Sequence, residues 1–183
     1  MRRISILLFL LVFCSATAVQ AQTTAPRPDP EIKKLQVLVG HWTYEGEYKP
    51  GPLGPGGKIT SVYDAHMILG GFFMQAQKTD KGAMGETRNL QIYAYDPVNK
   101  NFRSDTYLSD GTKSSFTVTV SGNTMTWAGT LTFAGKQYQY KEPLVFAPDF
   151  MSATGKAEIS SDGKTWIPAW EGKWTKAKPA AKK

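Results

Sequence analysis

Apolar and polar residues alternate from Gly40 onward. Trp42, Tyr44, Gly46 and Tyr48 fall on one face and His41, Thr43, Glu45 and Glu47 on the other, because successive side chains of a strand point to opposite sides. Similar runs, separated by turn residues, continue to Lys176. They predict strands over 41–49, 58–69, 71–78, 88–96, 101–109, 112–120, 123–133, 136–146, 150–160 and 164–175. Ser121-Gly122-Asn123, Ser109-Asp110-Gly111 and Ser161-Asp162-Gly163-Lys164 are tight hairpin signals, and Asp96-Pro97-Val98-Asn99-Lys100-Asn101 is a wider turn. Only 49–57 and 79–87 are long enough to cross between sheets. The expected fold is therefore all-β, an antiparallel up-and-down barrel of about ten strands, since closure removes the exposed edges of an open sheet. A two-sheet sandwich using those two crossovers is the competing arrangement.

A short N-terminal helix precedes the strands. Asp29-Pro30-Glu31 starts it with Pro at the first helical position, Ile32, Leu35, Val37 and Leu38 supply its apolar side, and Gly40 stops it. Residues 22–30 hold three prolines and read as an unstructured lead to a single domain over 31–176.

The first 21 residues read differently. Arg2 and Arg3, the apolar run from Ile4 to Cys14, and the small residues of Val19-Gln20-Ala21 form a secretory signal peptide with cleavage expected after Ala21. A lipoprotein anchored through Cys14 is the rival, with bulky Phe13 standing where a lipid-attachment site wants a small residue. Either way the protein is expected to be exported, to the periplasm or out of the cell. Cys14 is the single cysteine, so the exported chain after Ala21 has no disulfide, catalytic thiol or thiolate metal site.

The net charge of +7 invites a nucleic-acid reading. Setting aside Arg2 and Arg3 leaves 20 Lys+Arg against 15 Asp+Glu, and five of the 20 are Lys173, Lys176, Lys178, Lys182 and Lys183, so residues 22–172 carry 15 of each sign. The excess is a C-terminal one, with 177–183 a Lys-rich disordered tail. Lys176, Lys178, Lys182 and Lys183 would touch an anionic envelope surface rather than nucleic acid.

Several short motifs carry a family resemblance. Leu35-x-x-Leu38-Val39-Gly40-x-Trp42, Ile68-Leu69-Gly70-Gly71-Phe72-Phe73, Tyr95-Asp96, Ser109-Asp110-Gly111 and Trp170-Glu171-Gly172-Lys173 together resemble a bacterial family catalogued as domain of unknown function 1579. The Gly-x-Trp opening after a short helix is similar to that of the calycin superfamily of lipocalins, fatty-acid-binding proteins and nitrobindins. The resemblance implies a calycin-like barrel over about 31–176, without an agreed activity. It also implies that Trp42 closes one end of the barrel under a basic residue from the last strand, Lys173 or Lys176. Nitrobindins bind haem through a histidine late in the chain; here the only histidines are His41 and His66, and no haem or other cofactor is expected.

The face of Trp42 continues through Ile59, Ser61, Tyr63, Ala65 and Met67, and later strands offer Phe72, Met74, Leu90, Ile92, Phe102, Phe116, Val118, Met125, Trp127, Leu131 and Phe133. From these, Trp42, Tyr44, Tyr63, Met67, Phe72, Met74 and Trp127 are the candidate contacts of a small apolar or amphipathic ligand in the lumen. The other reading is a lumen packed solid by the same side chains. Entry is expected beside the Gly- and Pro-rich 50–57 loop and the N-terminal helix.

Chemistry beyond binding is sparse. If 41–49 and 58–69 pair so that His41 faces His66 and Thr43 faces Asp64, then His41, His66, Asp64 and Glu45 gather on the outer face as a weak candidate metal cluster, otherwise an exposed polar rim. Arg103, Asp105 and Tyr107, with Gln91 and Tyr93 on the neighbouring strand, read as the solvated outside of the barrel. No Ser-His-Asp grouping can be assembled in the lumen and no phosphate loop is visible, so no catalysis is expected. The sequence thus reads as an exported lumenal binder. A ligand-free envelope interaction module using its basic tail is the alternative.

Overall fold

The computed structural model describes residues 25–178. The expected signal peptide, Cys14, and Lys182 and Lys183 lie outside the described residues. Pro30–Val37 is a 3₁₀ helix: the Asp29 carboxylate accepts from the Glu31 N–H at 2.9 Å, and Pro30 stands where an N–H would have no helical partner. Ten strands follow, β1 (Gly40–Tyr48), β2 (Gly57–Ile68), β3 (Phe73–Gly82), β4 (Gly85–Asp96), β5 (Asn101–Leu108), β6 (Lys113–Ser121), β7 (Thr124–Phe133), β8 (Lys136–Phe146), β9 (Ser152–Ser160) and β10 (Ile167–Lys176). Each pairs antiparallel with its neighbour in sequence, and β10 returns to β1, closing the sheet on itself. Closure rules out the two-sheet sandwich.

Alternation fills the interior as expected for a closed sheet. Trp42 and Tyr44 of β1, Ile59, Ser61, Tyr63 and Ala65 of β2, and Phe102 and Ser104 of β5 are buried while their sequence neighbours on these strands are mostly exposed. The helix closes the end where β1 begins. Its Ile32 and Leu35, with Leu38 beyond it, join the core, and the Trp42 indole N–H donates to the Leu38 carbonyl at 3.0 Å. Lys176 covers Trp42, with its ammonium 5.2 Å from the ring centroid, whereas Lys173 lies exposed on the same strand.

Three differences from the sequence expectation matter for the site. Residues 79–87 are not a loop: β3 and β4 extend through them and join by the two-residue turn Ala83-Met84. Thr79, Asp80, Lys81, Glu86, Thr87 and Arg88 are polar on both faces, so no alternation marks them as strand. Second, β4 has the opposite facing: Gln91 and the 2 % exposed Tyr93 point inward, and Leu90, 36 % exposed, points out. Third, the β1–β2 register is two residues from the expected one. His41 sits opposite Asp64, their side chains 2.7 Å apart, while His66 pairs across to Gln75. Lys49 to Gly56 are taken up by the connecting loop, which leaves Tyr48 opposite Gly57 and sets this register. Among the described residues no group of three or more His, Cys, Asp or Glu side chains converges, so the four-residue cluster does not assemble.

Candidate functional site

The barrel encloses a cavity of about 290 Å³ that reaches from Leu38 and Trp42 near the helix up to Leu53 and Met84 at the opposite end. The helix and the 50–57 loop therefore lie at opposite ends of the barrel, and the loop shares the rim of its end with the β3–β4 turn. There Gly51 and Gly54 exchange backbone hydrogen bonds of 2.9 and 3.0 Å, and the tight turn tucks Leu53 inward to 6 % exposure. Met84, from the β3–β4 turn, packs against Gly54 so closely that a Cβ there would lie 2.7 Å from its sulfur. Leu53 and Met84 form an apolar rim over the lumen.

Trp42, Tyr44, Tyr63 and Trp127 line the cavity; Met67, Phe72 and Met74 do not. Met67 and Met74 face each other across β2 and β3 at the helix end, where Met74 is fully enclosed in packed core. Phe72 precedes β3, at the end of the Leu69–Gly71 turn, and is 36 % exposed. The floor is apolar, built from Leu38, Trp42, Leu144 and Phe146.

The middle of the lumen is polar, which the hydrophobic pattern did not foresee. Lys78 and Asp80 of β3 face inward with Nζ and Oδ1 2.9 Å apart. Asp80 also accepts from the Ser61 hydroxyl and, at 3.5 Å, from the Asn89 amide. The chain of bonds continues along β4, Gln91 donating to Asn89 at 3.1 Å and Tyr93 donating to Gln91 at 2.8 Å. Burial is the largest single influence on Lys78 and opposes its charge, but the Asp80 carboxylate beside it, with Tyr48 and Glu142, together outweighs burial and holds its pKa above the ordinary lysine value. The ammonium also lies 5.4 Å from the Trp174 ring centroid, a cation held on an aromatic face.

On the opposite wall Glu142 of β8 accepts from the Tyr140 hydroxyl and, at 3.4 Å, from the Trp170 indole N–H. Glycines make room for this arrangement. Gly46, Gly172 and Gly155 stand side by side in the registered rows of β1, β10 and β9. A Cβ at Gly172 would lie 2.4 Å from the Glu45 carbonyl and 2.6 Å from the Tyr44 ring, and one at Gly155 would lie 3.3 Å from the Glu142 carboxylate. The missing side chains let Tyr44 lie along the wall. Burial, and after it the Glu142 charge, pushes the Tyr44 hydroxyl well above its ordinary pKa, so it stays protonated. The Tyr63 and Ser104 hydroxyls are buried beside that of Tyr93, the Tyr44 hydroxyl is buried without a hydrogen-bond partner, and all of these residues line the cavity. Buried orphan hydroxyls are costly unless something bonds to them.

The lumen thus combines an apolar floor, a paired ammonium and carboxylate, a second carboxylate and buried hydroxyls. Arg103, Asp105 and Tyr107 remain on the outer face of β5 as expected, with Asp105 accepting from Ser115 at 2.5 Å.

Known structures share this shape. The crystal structure of Rv2717c from M. tuberculosis superposes with a TM-score of 0.60 at 12% identity, covering 83% of this chain and 100% of its own. The S-type phycobiliprotein lyase CPES from Guillardia theta gives a TM-score of 0.51 at 12% identity over 80% of this chain and 92% of its own. These likenesses establish the calycin-like barrel. No curated protein matches the chain. The model of the family described as protein of unknown function (DUF1579) matches residues 27–177, and the chain belongs to that family.

Proposed function

We propose that this protein is an exported, non-catalytic carrier that binds one small amphipathic molecule in its lumen. One observation carries the reading: an interior cavity of about 290 Å³ in which hydrogen-bonding side chains stand above an apolar floor, close to the lower end of the ~300–1,000 Å³ of small-molecule pockets. A purely apolar ligand would meet the polar side chains of Lys78, Asp80, Asn89, Gln91 and Glu142 in the middle of the lumen, which favours a ligand with a polar end. The calycin-like fold supports the reading too, since a barrel of this outline serves a phycobiliprotein lyase. The leader of residues 1–21 is the ground for export.

The interaction-module reading loses part of its basis. Lys176 is engaged with Trp42 and the Val37 carbonyl and does not belong to a free basic tail.

Uptake of the neutral dye Nile red, followed by its emission, tests lumenal binding. Wild type is expected to take up one equivalent, and Thr106→Trp, which fills the cavity from β5, is expected to lose it while keeping its far-ultraviolet circular dichroism. Equal uptake by both would place the dye outside the lumen and overturn the reading.

A further inference from the structure

The lumen holds two carboxylates and one ammonium away from its mouth. Asp80 has Lys78 at 2.9 Å, and the same ammonium rests over Trp174. Glu142 has no such partner: it accepts hydrogen bonds from the neutral Tyr140 hydroxyl and Trp170 indole, and among the described residues no Lys, Arg or His forms an ion pair with it. Of the two carboxylates, only Asp80 has a cation in direct contact.

A half-buried carboxylate with neutral donors alone is poorly compensated for the water it has lost. Its surroundings suit a positive charge. Tyr140 and Trp170 stack with centroids 5.3 Å apart, Tyr48 meets Trp170 edge-on at 5.5 Å, and all three rings line the cavity next to Glu142. Aromatic faces around an acidic group form a cage that attracts ammonium ions, primary or quaternary, through the ring quadrupoles. Below Glu142 on β8 come Leu144 and then Phe146, so an apolar group attached to the cation would descend to the floor.

We propose that the ligand of this barrel is a cationic amphiphile, an amine or quaternary ammonium whose charged head binds Glu142 beside the packed rings of Trp170 and Tyr140. Lys78 pairs with Asp80 and also feels the Glu142 charge across the lumen, so two carboxylates share one ammonium and an anionic head group would meet a net negative charge. The inference rests on the lumenal-binding reading and adds the sign of the ligand's charge to it.

Three probes of equal chain length separate the two claims: octylammonium, octan-1-ol and octanoate, titrated into the wild-type protein at neutral pH with tryptophan emission as the readout. Octylammonium is expected to bind about tenfold tighter than octanol, with octanoate weakest, the advantage coming from the charge-assisted contact and the aromatic cage. Glu142→Gln keeps the size of the side chain and is expected to bring octylammonium down to the affinity that octanol has for the same variant. Octanoate binding as well as octylammonium, or an ammonium preference that survives Glu142→Gln, would overturn the charge assignment and leave lumenal binding standing. No uptake of any of the three would overturn both. The wild-type ranking decides the matter even if the variant folds poorly.

Discussion

Lys176 lies over Trp42, its ammonium 5.2 Å from the ring centroid and 3.1 Å from the Val37 carbonyl that it hydrogen-bonds. One side chain from the last strand thereby ties the first strand and the helix into a single end-cap, and burial lowers its pKa. Removing it with Lys176→Ala is expected to cost about 1–3 kcal/mol in urea unfolding, from the lost cation–π contact, hydrogen bond and packed stem. Lys173→Ala, on an exposed position of the same strand, is expected to change stability by less than about 0.5 kcal/mol. Equal effects from the two would show that the cap does not depend on Lys176.

The glycine row makes a steric prediction. An alanine Cβ at Gly172 would meet the Glu45 carbonyl oxygen and the Tyr44 ring, so Gly172→Ala is expected to destabilise by about 1–3 kcal/mol as the strands and ring give way. Gly51 has nothing within 4 Å of such a Cβ, and Gly51→Ala is expected to be close to neutral. Thermal unfolding of both variants checks the contrast.

Lys78 and Asp80 form a pair shielded by the barrel, with side chains 21% and 15% exposed. Breaking such a pair from one side leaves a charge without its partner, which costs about 3–5 kcal/mol, whereas apolar replacement of both is often close to neutral. Lys78→Met and Asp80→Leu should therefore each destabilise strongly, and the double variant should be more stable than either single variant. Additive losses in this double-mutant cycle would mean the two charges act independently.

Asp162 governs the turn between β9 and β10. Its carboxylate accepts from the Thr165 N–H at 2.7 Å, the Lys164 N–H at 2.8 Å and the Ser160 hydroxyl at 2.9 Å, and these bonds, the two backbone ones foremost, hold its pKa down at about 2. A carboxyl with a depressed folded pKa stabilises the fold fully above its unfolded value, about 3.9, and loses that contribution as pH falls through the folded value. The gap in melting temperature between wild type and Asp162→Asn is expected to be widest at neutral pH and to close between pH about 4 and about 2. A gap that does not change with pH would show that the carboxylate charge contributes nothing.

The strands were legible because turn chemistry marks where they end: Ser121-Gly122-Asn123 and Asp96 to Asn101 each sit at a real turn. The inward face of β1 and β2 was legible as well, since the two-residue error in register preserved parity and kept Trp42, Tyr44 and Tyr63 inside. The polar lumen was hidden by the same logic that revealed the core. Hydrophobicity assigned the inward face, so Leu90 and Ile92 drew β4 the wrong way round, and Lys78, Asp80 and Glu142 had no reason to be placed inside. The needed signal was geometric. With Phe102 inward and a four-residue turn over 97–100, Asp96 must pair with Asn101 and Tyr95 with Phe102, which already forces Tyr93 and Gln91 into the lumen. Hairpin parity is the stronger guide where a barrel wall is mixed in character.

Native mass spectrometry of the protein, purified without detergent, shows whether the barrel holds a small molecule. A lumenal binder is expected to show a reproducible added mass, lost on unfolding and lost with Thr106→Trp. A bare chain mass from several hosts, with no uptake of octylammonium, octanol or Nile red, would contradict lumenal binding.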